Sequence, residues 1–190
     1  ANAAGSSKHS VAQYVLTAIL TLRTEYWSKS ITLGIIGLGN IGNTLAQYAT
    51  DLGWQVLGYD PLLPPSKFNN ASFEQVLQSN VVSLHVPLTD KKTSDYPTYH
   101  MIDMAALQKM PTDTLLINSA RGPVVEASAL AADIERSHRQ VVLDVFEHEP
   151  QVAESLLGKL AIATPHIAGY SLEGELRGTQ MIYDALCDEL

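Results

Sequence analysis

Three glycines in the first third of the chain have a spacing that suits a bound pyrophosphate. Residues 37–42 read GLGNIG, after an apolar run and before apolar residues at helical spacing. Gly37 permits a tight turn, Gly39 has no Cβ to block a close phosphate, and Gly42 lets the helix pack near the strand. Asn40 and Ile41 lie in the first helical turn, where free N–H groups and the helix dipole attract anions.

Asp60 completes this pattern at the tip of the next apolar run, about twenty residues after the first glycine. A carboxylate there can accept hydrogen bonds from a ribose 2′-OH, and it repels a 2′-phosphate. No arginine follows it in Pro61-Leu62-Leu63. The pattern therefore predicts NAD rather than NADP; the alternative is a structural glycine turn in another kind of α/β protein.

Oxidation by NAD also requires a group that takes a proton from the substrate oxygen, and histidine is the usual choice near neutral pH. His166 lies between a proline and a small Ile-Ala-Gly turn, where a catalytic or a structural role fits equally well. His85 lies at the cofactor edge beside Pro87, either in the site or in its wall. The remaining histidines have less support: His9, His100, His138 and His148.

Three charged residues could assist His166. Glu149 can fix the imidazole tautomer and stabilise its cation; otherwise it is a surface acid before a proline. Arg121 can hold a carboxylate with two parallel bonds or polarise a carbonyl; otherwise it forms a surface salt bridge. Asp144 can accept from a nicotinamide carboxamide or serve as a cap.

The elements that must position these residues alternate between strand and helix. Apolar runs precede Gly37, Asp60, His85, Arg121 and Asp144, and a last short run precedes His166 with no clear helix before it. The pattern predicts an α/β fold, a Rossmann-type doubly wound parallel sheet whose candidate residues share the carboxyl edge. The predicted helices include Val11–Leu22, capped by Ser10, a short helix capped by Ser72, and a closing helix at the end of the chain.

Composition limits the class of protein. The 190 residues carry a net charge of −8 with no basic stripe, which argues against nucleic acid or an anionic membrane as partner. The single cysteine, Cys187, cannot form an internal disulfide, and no thiolate metal site is indicated. No apolar run has the length of a membrane span, and no signal-peptide pattern is present. We expect a cytoplasmic protein without a metal.

Several motifs in order resemble the D-isomer-specific 2-hydroxyacid dehydrogenases over nearly the whole chain. They are VAQY at 11–14, the glycine turn, HVPLT at 85–89, INSARG at 117–122, LDVF at 143–146 followed by Glu149-Pro150, and TPHI at 164–167. The resemblance implies that Arg121 binds the substrate carboxylate, that His166 is the acid–base catalyst, and that Glu149 is its paired acid. It also implies that Asp144 contacts the nicotinamide carboxamide.

The resemblance completes the predicted cofactor site with Pro87, Ala120 and Gly169. Residues 166–183 further resemble one subgroup of the family, which oxidises a phosphorylated 2-hydroxy acid. The chain departs from that subgroup at Ser6-Ser7-Lys8 and at Glu126. Two alternatives to this subgroup remain: another enzyme of the family, or a non-catalytic NAD-sensing module.

The family resemblance also sets the expected domain organisation. Residues 1–190 would form a single NAD-binding domain of a two- or three-domain enzyme, with 1–22 as the leading interdomain helix and 171–190 as the closing helix. The substrate domain would be absent, and the full-length enzyme would be a homodimer.

Overall fold

The computed structural model describes residues 3–188, which form a six-stranded parallel sheet with helices on both faces. The strands are β1 (Thr32–Ile36), β2 (Gln55–Tyr59), β3 (Val81–Leu84), β4 (Leu115–Asn118), β5 (Val141–Leu143) and β6 (Ile162–Ala163). The helices are α1 (Lys8–Leu22), α2 (Asn40–Asp51), α3 (Phe73–Leu77), α4 (Met104–Lys109), α5 (Ala127–Ser137), α6 (Glu154–Leu157) and α7 (Leu172–Asp188). Short 3-10 turns cover Thr24–Trp27 and Gly122–Val124.

The strand order is β2-β1-β3-β4-β5-β6, and every pair is parallel. The chain leaves β1 toward β2 and then returns past β1 to form β3. The order therefore reverses between β1 and β3, which is where open α/β sheets bind ligands beyond the strand ends. The predicted doubly wound parallel sheet is confirmed.

The central strands of the sheet are covered by helices on both faces. All four residues of β3 and all four of β4 are buried, as expected for a parallel sheet covered by helices. One apolar core packs α1 and α2 against one face, and a second packs α3, α4 and α5 against the other. The two cores hold the carboxyl ends of β1 and β3–β5 in register.

Two residues were predicted to cap helices, Ser72 and Ser10, and the structure confirms one of them. Ser72 caps α3 in a full capping box with Gln75, as predicted. Ser10 was expected to cap the first helix, and this was wrong, because α1 already begins at Lys8. The Ser10 hydroxyl instead donates back to the Ser7 carbonyl. The sequence did not predict α6, a helix of only one turn.

Both terminal helices lie within the predicted segments 1–22 and 171–190, and α1 begins three residues before the predicted helix start at Val11. Within 1–22 the helix occupies Lys8–Leu22, and residues 1–2 lie outside the described part. Within 171–190 it occupies Leu172–Asp188, and residues 189–190 lie outside it. Among residues 3–188, no helix combines the length and apolar character needed to cross a lipid bilayer.

Candidate active site

The glycine turn has the geometry that its sequence predicts. Gly37 has φ +92°, and a Cβ there would lie 2.6 Å from the His85 carbonyl oxygen. A Cβ on Gly42 would lie 2.0 Å from the Gly37 carbonyl oxygen, so no side chain fits at either position. A Cβ on Gly39 would meet nothing within 4 Å, and no side chain caps α2. Open space therefore faces the N-terminal N–H groups of α2, where a pyrophosphate would bind.

Asp60 is fastened to this turn. Its Oδ2 accepts a hydrogen bond from the Leu38 N–H at 2.9 Å, and its Oδ1 accepts one from the Leu62 N–H at 3.1 Å. Each oxygen keeps a lone pair, because a carboxylate oxygen can accept two bonds. The carboxylate is thus held in place and can still accept from ribose hydroxyls.

A cavity of about 610 Å³ connects these groups. Gly37, Gly39, Asp60, His85 and Pro87 of the predicted set line it. Its volume lies within the range of small-molecule sites. The turn, the acid and the cavity together fit an NAD molecule.

Three aromatic residues also line this cavity, and sequence reasoning did not select them: Tyr59, Phe73 and Tyr96. The rings of Tyr59 and Phe73 lie 5.6 Å apart at 57°. Tyr96 comes from the loop between β3 and α4. Aromatic walls suit a flat base. The residues belong to a strand end, a helix start and a loop, so no periodicity could have grouped them.

His85 has an apolar environment. Burial lowers its pKa to about 4, so the ring is neutral at physiological pH. Its Nε2 lies 2.9 Å from the Ser83 hydroxyl, whereas its buried Nδ1 has no hydrogen-bond partner in the described chain. The ring belongs to the cavity wall, and a direct cofactor contact stays a prediction.

The other predicted cofactor residues are divided between two places. Asn40 and Ile41 begin α2 beside the open space at Gly39. Ala120 is buried behind Arg121, whose guanidinium donates to the Ala120 carbonyl at 2.6 Å. Gly169 lies apart from the large cavity, against Ser7 and Val11 at the start of α1. The cofactor roles of Ala120 and Gly169 stay predictions.

The structure brings His166 and Glu149 together. The His166 Nδ1 lies 2.9 Å from the Glu149 Oε2, and the imidazole is 53% exposed. Glu149 Oε1 accepts from the Phe146 N–H at 2.6 Å, which fixes the carboxylate. The His166 Nε2 makes no hydrogen bond with the described residues. Both side chains line a separate apolar hollow of about 390 Å³.

Arg121 lies near enough to influence this pair. Burial raises the pKa of Glu149, but the hydrogen bonds from His166 and Phe146 and the charges of His166 and Arg121 outweigh it, so the net pKa lies below its ordinary value. Glu149 is therefore ionised at neutral pH and can only accept. The Nδ1 of neutral His166 must then carry the ring proton, which leaves Nε2 as the basic nitrogen.

Asp144 is 1% exposed and accepts three hydrogen bonds through its carboxylate. The donors are the Thr164 hydroxyl, the Ile167 N–H and the Ala168 N–H. These contacts make it the cap of the His166 turn, which was the alternative to a cofactor contact. Only Oδ2, with one bond, has capacity for a carboxamide, so that role stays a prediction.

The sequence missed two contacts that span long separations. The Tyr14 hydroxyl reaches Thr164 at 2.6 Å, and the His100 Nε2 reaches Glu147 at 2.5 Å. Tyr14 lies within the VAQY motif, and Glu147 directly follows the LDVF motif. Neither residue carries a local signal for a partner that is 150 or 47 positions away.

Comparisons with known proteins agree with this geometry. The family model described as "D-isomer specific 2-hydroxyacid dehydrogenase, NAD binding domain" matches residues 21–168. An erythronate-4-phosphate dehydrogenase of Psychrobacter arcticus is 70% identical over the whole chain, which covers 55% of that relative. The corresponding enzyme of Acinetobacter baumannii is 54% identical over the whole chain, which covers 54% of it. The chain thus spans about half the length of the curated relatives it matches.

Solved structures show the same likeness. The D-mandelate dehydrogenase of Rhodotorula graminis superimposes with a TM-score of 0.80 at 27% identity, covering 95% of this chain and 61% of that chain. The D-lactate dehydrogenase of Aquifex aeolicus, complexed with NAD and lactic acid, gives 0.77 at 29% identity, covering 95% and 66%. With its glycine turn, its cavity and the match over residues 21–168, the chain belongs to the D-isomer-specific 2-hydroxyacid dehydrogenase family and represents its NAD-binding domain.

Proposed function

We propose that this chain is the cofactor-binding part of a longer NAD-dependent dehydrogenase that oxidises a D-2-hydroxy acid. The substrate we assign is 4-phospho-D-erythronate, with 2-oxo-3-hydroxy-4-phosphobutanoate as product, a step of pyridoxal phosphate synthesis. The names of relatives at 54–70% identity support this choice. The shares of 54–55% that the chain covers support a second, substrate-binding part outside it. A cytoplasmic homodimer fits the same assignment.

The observation that carries the proposal is the exposed imidazole of His166 held by an ionised Glu149 beside Arg121. Bound NAD supplies the acceptor for the hydride that leaves C2 of the substrate. Arg121 is exposed, and its only described side-chain hydrogen bond goes to the Ala120 carbonyl. The rest of its guanidinium is therefore free to hold the substrate carboxylate.

His166 then moves the proton. Its Nε2 lone pair accepts the C2 hydroxyl proton, and Glu149 stabilises the imidazolium that results. Asp144 keeps the turn at His166 in place during this transfer. The pair lies beside the apolar hollow and remains 53% and 35% exposed, so solvent screens part of the attraction between the two charges.

The substrate test uses the longer enzyme that contains this chain. NADH formation is measured with 4-phosphoerythronate, 3-phosphoglycerate and D-glycerate separately, and His166→Ala is the control. A strong preference for 4-phosphoerythronate that the substitution abolishes is the expected result. Preference for another acid would overturn the assigned substrate and leave the family assignment intact. Binding of NADH with no turnover of any acid would indicate a sensing module instead.

The cofactor test needs only the present chain. We expect NADH to bind more tightly than NADPH, because Asp60 accepts from the ribose and repels a 2′-phosphate. Asp60→Ala should narrow the difference by about tenfold, which corresponds to the loss of roughly one charge-assisted contact. Titration of cofactor fluorescence measures both affinities. Equal affinities for the unsubstituted chain would contradict the assignment of Asp60.

A further inference from the structure

The turn that contains His166 is hydrogen-bonded to one buried carboxylate, that of Asp144. Asp144 Oδ1 accepts from the Thr164 hydroxyl at 2.6 Å and from the Ile167 N–H at 2.8 Å, and Oδ2 accepts from the Ala168 N–H at 2.9 Å. The Asp144 carbonyl oxygen also accepts from the His166 N–H at 2.8 Å. Four bonds from residues 164–168 therefore converge on Asp144.

The backbone of His166 needs such support. Its φ is +57°, in the left-handed region that residues with a Cβ seldom occupy. A conformation of this kind persists only where the surrounding contacts determine it. Loosening the contacts to Asp144 would let the turn relax and would move the imidazole.

The proton positions give the hydrogen-bond chain a direction. Thr164 has one hydroxyl proton, and the carboxylate of Asp144 can only accept it. The Tyr14 hydroxyl lies 2.6 Å from the same Thr164 oxygen, so Tyr14 must be the donor there. Donation by Tyr14 polarises the Thr164 hydroxyl and strengthens its bond to Asp144. Burial raises the pKa of Tyr14 above its ordinary value despite the opposing hydrogen bond to Thr164, so the phenol keeps its proton.

A second contact joins the same helix to the other side of the turn. The Ser10 hydroxyl lies 3.3 Å from the Gly169 carbonyl oxygen, and Ser10 and Tyr14 are one helical turn apart on α1. Helix α1 thus contacts the His166 turn both before and after the histidine, and the Tyr14 contact is the stronger because the single Ser10 proton is shared with the Ser7 carbonyl at 2.8 Å.

We propose that Tyr14 is a positioning residue for His166, acting through Thr164 and Asp144 to hold the imidazole where its Nε2 meets the substrate hydroxyl. This inference rests on the proposed role of His166 as the base. Tyr14 lines neither the large cavity nor the hollow beside His166. Its removal should therefore slow the proton transfer without weakening cofactor binding.

The test compares Tyr14→Phe with Tyr48→Phe in the longer enzyme. Tyr48 is the matched control, because its hydroxyl also makes one hydrogen bond to an α1 residue, at 2.7 Å to the His9 Nδ1, but has no path to the turn. We expect Tyr14→Phe to lower kcat about five- to tenfold, the effect of one hydrogen bond, with KM and the NADH dissociation constant changed less than about twofold. Tyr48→Phe should change none of them. Equal kcat values for the two variants would overturn the proposal.

Thr164 variants separate positioning from simple support of the fold. Thr164→Ser keeps the hydroxyl and should keep kcat, whereas Thr164→Val breaks the chain and should lower kcat at least as far as Tyr14→Phe. The double variant Tyr14→Phe/Thr164→Val should be no slower than Thr164→Val alone, because both changes interrupt one path. Additive losses, or a Thr164→Ser variant as slow as Thr164→Val, would contradict the proposal.

Amide hydrogen exchange in the 190-residue chain gives a readout independent of turnover. Tyr14→Phe should speed exchange at Ile167 and Ala168, whose N–H groups donate to Asp144, while Tyr48→Phe leaves both rates unchanged. Unchanged rates in Tyr14→Phe would refute the connection even in an active enzyme. Faster exchange in an enzyme that oxidises no 2-hydroxy acid would mean that the proposed function, rather than the connection, is wrong.

Discussion

Glu147 and Glu149 are separated by one residue after β5, and each carboxylate pairs with a histidine from elsewhere in the chain. The His100 Nε2 lies 2.5 Å from Glu147, and those side chains are 28% and 11% exposed. The His166 Nδ1 lies 2.9 Å from Glu149, and those side chains are 53% and 35% exposed. Both histidines have positive φ values, 51° and 57°. The two pairs have the same chemistry and differ in their surroundings.

The second oxygen of each carboxylate shows what the pair does. Glu147 Oε2 accepts from the N–H of Ala127, the first residue of α5, at 2.8 Å. The N-cap residue of that helix, Glu126, makes no side-chain capping bond, so Glu147 replaces it. Glu149 Oε1 instead accepts from Phe146 within its own loop. The first pair joins distant elements, and the second only orients a side chain.

The histidine rings differ in the same way. The His100 ring is stacked on Tyr99 with centroids 3.9 Å apart and planes at 19°. Its backbone N–H donates to the Pro123 carbonyl, two residues beyond Arg121. His166 has no such ring partner in the described chain and presents its Nε2 to open space. The partly buried pair has a stacked ring and a glutamate that holds the start of α5, so it serves stability. The more exposed pair turns its Nε2 to open space and can exchange a proton with a ligand.

The largest expected effect separates the two histidines. In the longer enzyme, His166→Ala should lower kcat about 10²- to 10⁴-fold, the usual contribution of a general base. His100→Ala should change kcat by only a few fold, because its imidazole takes no part in proton transfer. Steady-state kinetics of both variants at saturating NAD measures the contrast. A loss with His100→Ala as large as with His166→Ala would break the comparison.

An intermediate effect separates the two glutamates by stability. Glu147→Ala in the 190-residue chain should reduce the free energy of unfolding by about 1–3 kcal/mol, because it leaves the N–H of Ala127 and the ring of His100 without their acceptor. Urea titration followed by circular dichroism measures this change. Glu126→Ala is the matched control and should stay within about 0.5 kcal/mol of the unsubstituted chain, since Glu126 contributes no cap. Similar losses for both would show that Glu147 does not stabilise the start of α5.

The smallest expected effect is the pH dependence of the stability that Glu147 and Glu149 contribute. Burial raises the pKa of Glu147, but the bonds from Ala127 and His100 and the charges of His100 and His148 outweigh it, so its folded-state pKa lies below the ordinary 4.5. A carboxyl group with a lowered folded-state pKa adds stability above its unfolded-state pKa, and the contribution disappears as pH falls through the folded-state value.

The stability difference between the unsubstituted chain and Glu147→Gln should therefore shrink as the pH falls below about 4.5. Glu149→Gln should follow the same direction with a smaller amplitude, because solvent screens its more exposed pair. Urea titrations at a series of pH values give both curves. A difference that grows as the pH falls below about 4.5 would reverse the sign assigned to these groups.

Local patterns in the sequence were sufficient to predict the part of the sheet edge where the cofactor would bind. Gly37, Gly42 and Asp60 lie within one strand–turn–helix–strand unit, whose geometry follows from short-range sterics and hydrogen bonding. The cap at Ser72 was predictable for the same reason. Boundaries were less certain where a side chain makes a distant contact. The apolar run before Asp144 forms a strand, β5, of only three residues, Val141–Leu143.

Arg139 and Asp144, which flank β5, illustrate why this strand is short. Arg139 turns into a buried pair with Asp133 at 2.7 Å and donates to the carbonyls of Pro111 and Leu107. Asp144 turns into the His166 loop and accepts its hydrogen bonds. Partners this far apart in sequence leave no periodic signal at either position.

The sequence by itself determined the class of fold, the expected cofactor and the edge of the sheet where chemistry would take place, because these depend on the order of strand ends and turns. It also favoured His166 over His100 as the candidate base, but it did not give the physical reason for the difference. Three contacts were decided only by the tertiary structure. Glu147 pairs with His100, Glu149 pairs with His166 through Nδ1 and leaves Nε2 free, and Tyr14 contacts Thr164 in the His166 turn. Burial and hydrogen-bond partners set the role of a titratable group, and folding brings those partners together from distant positions.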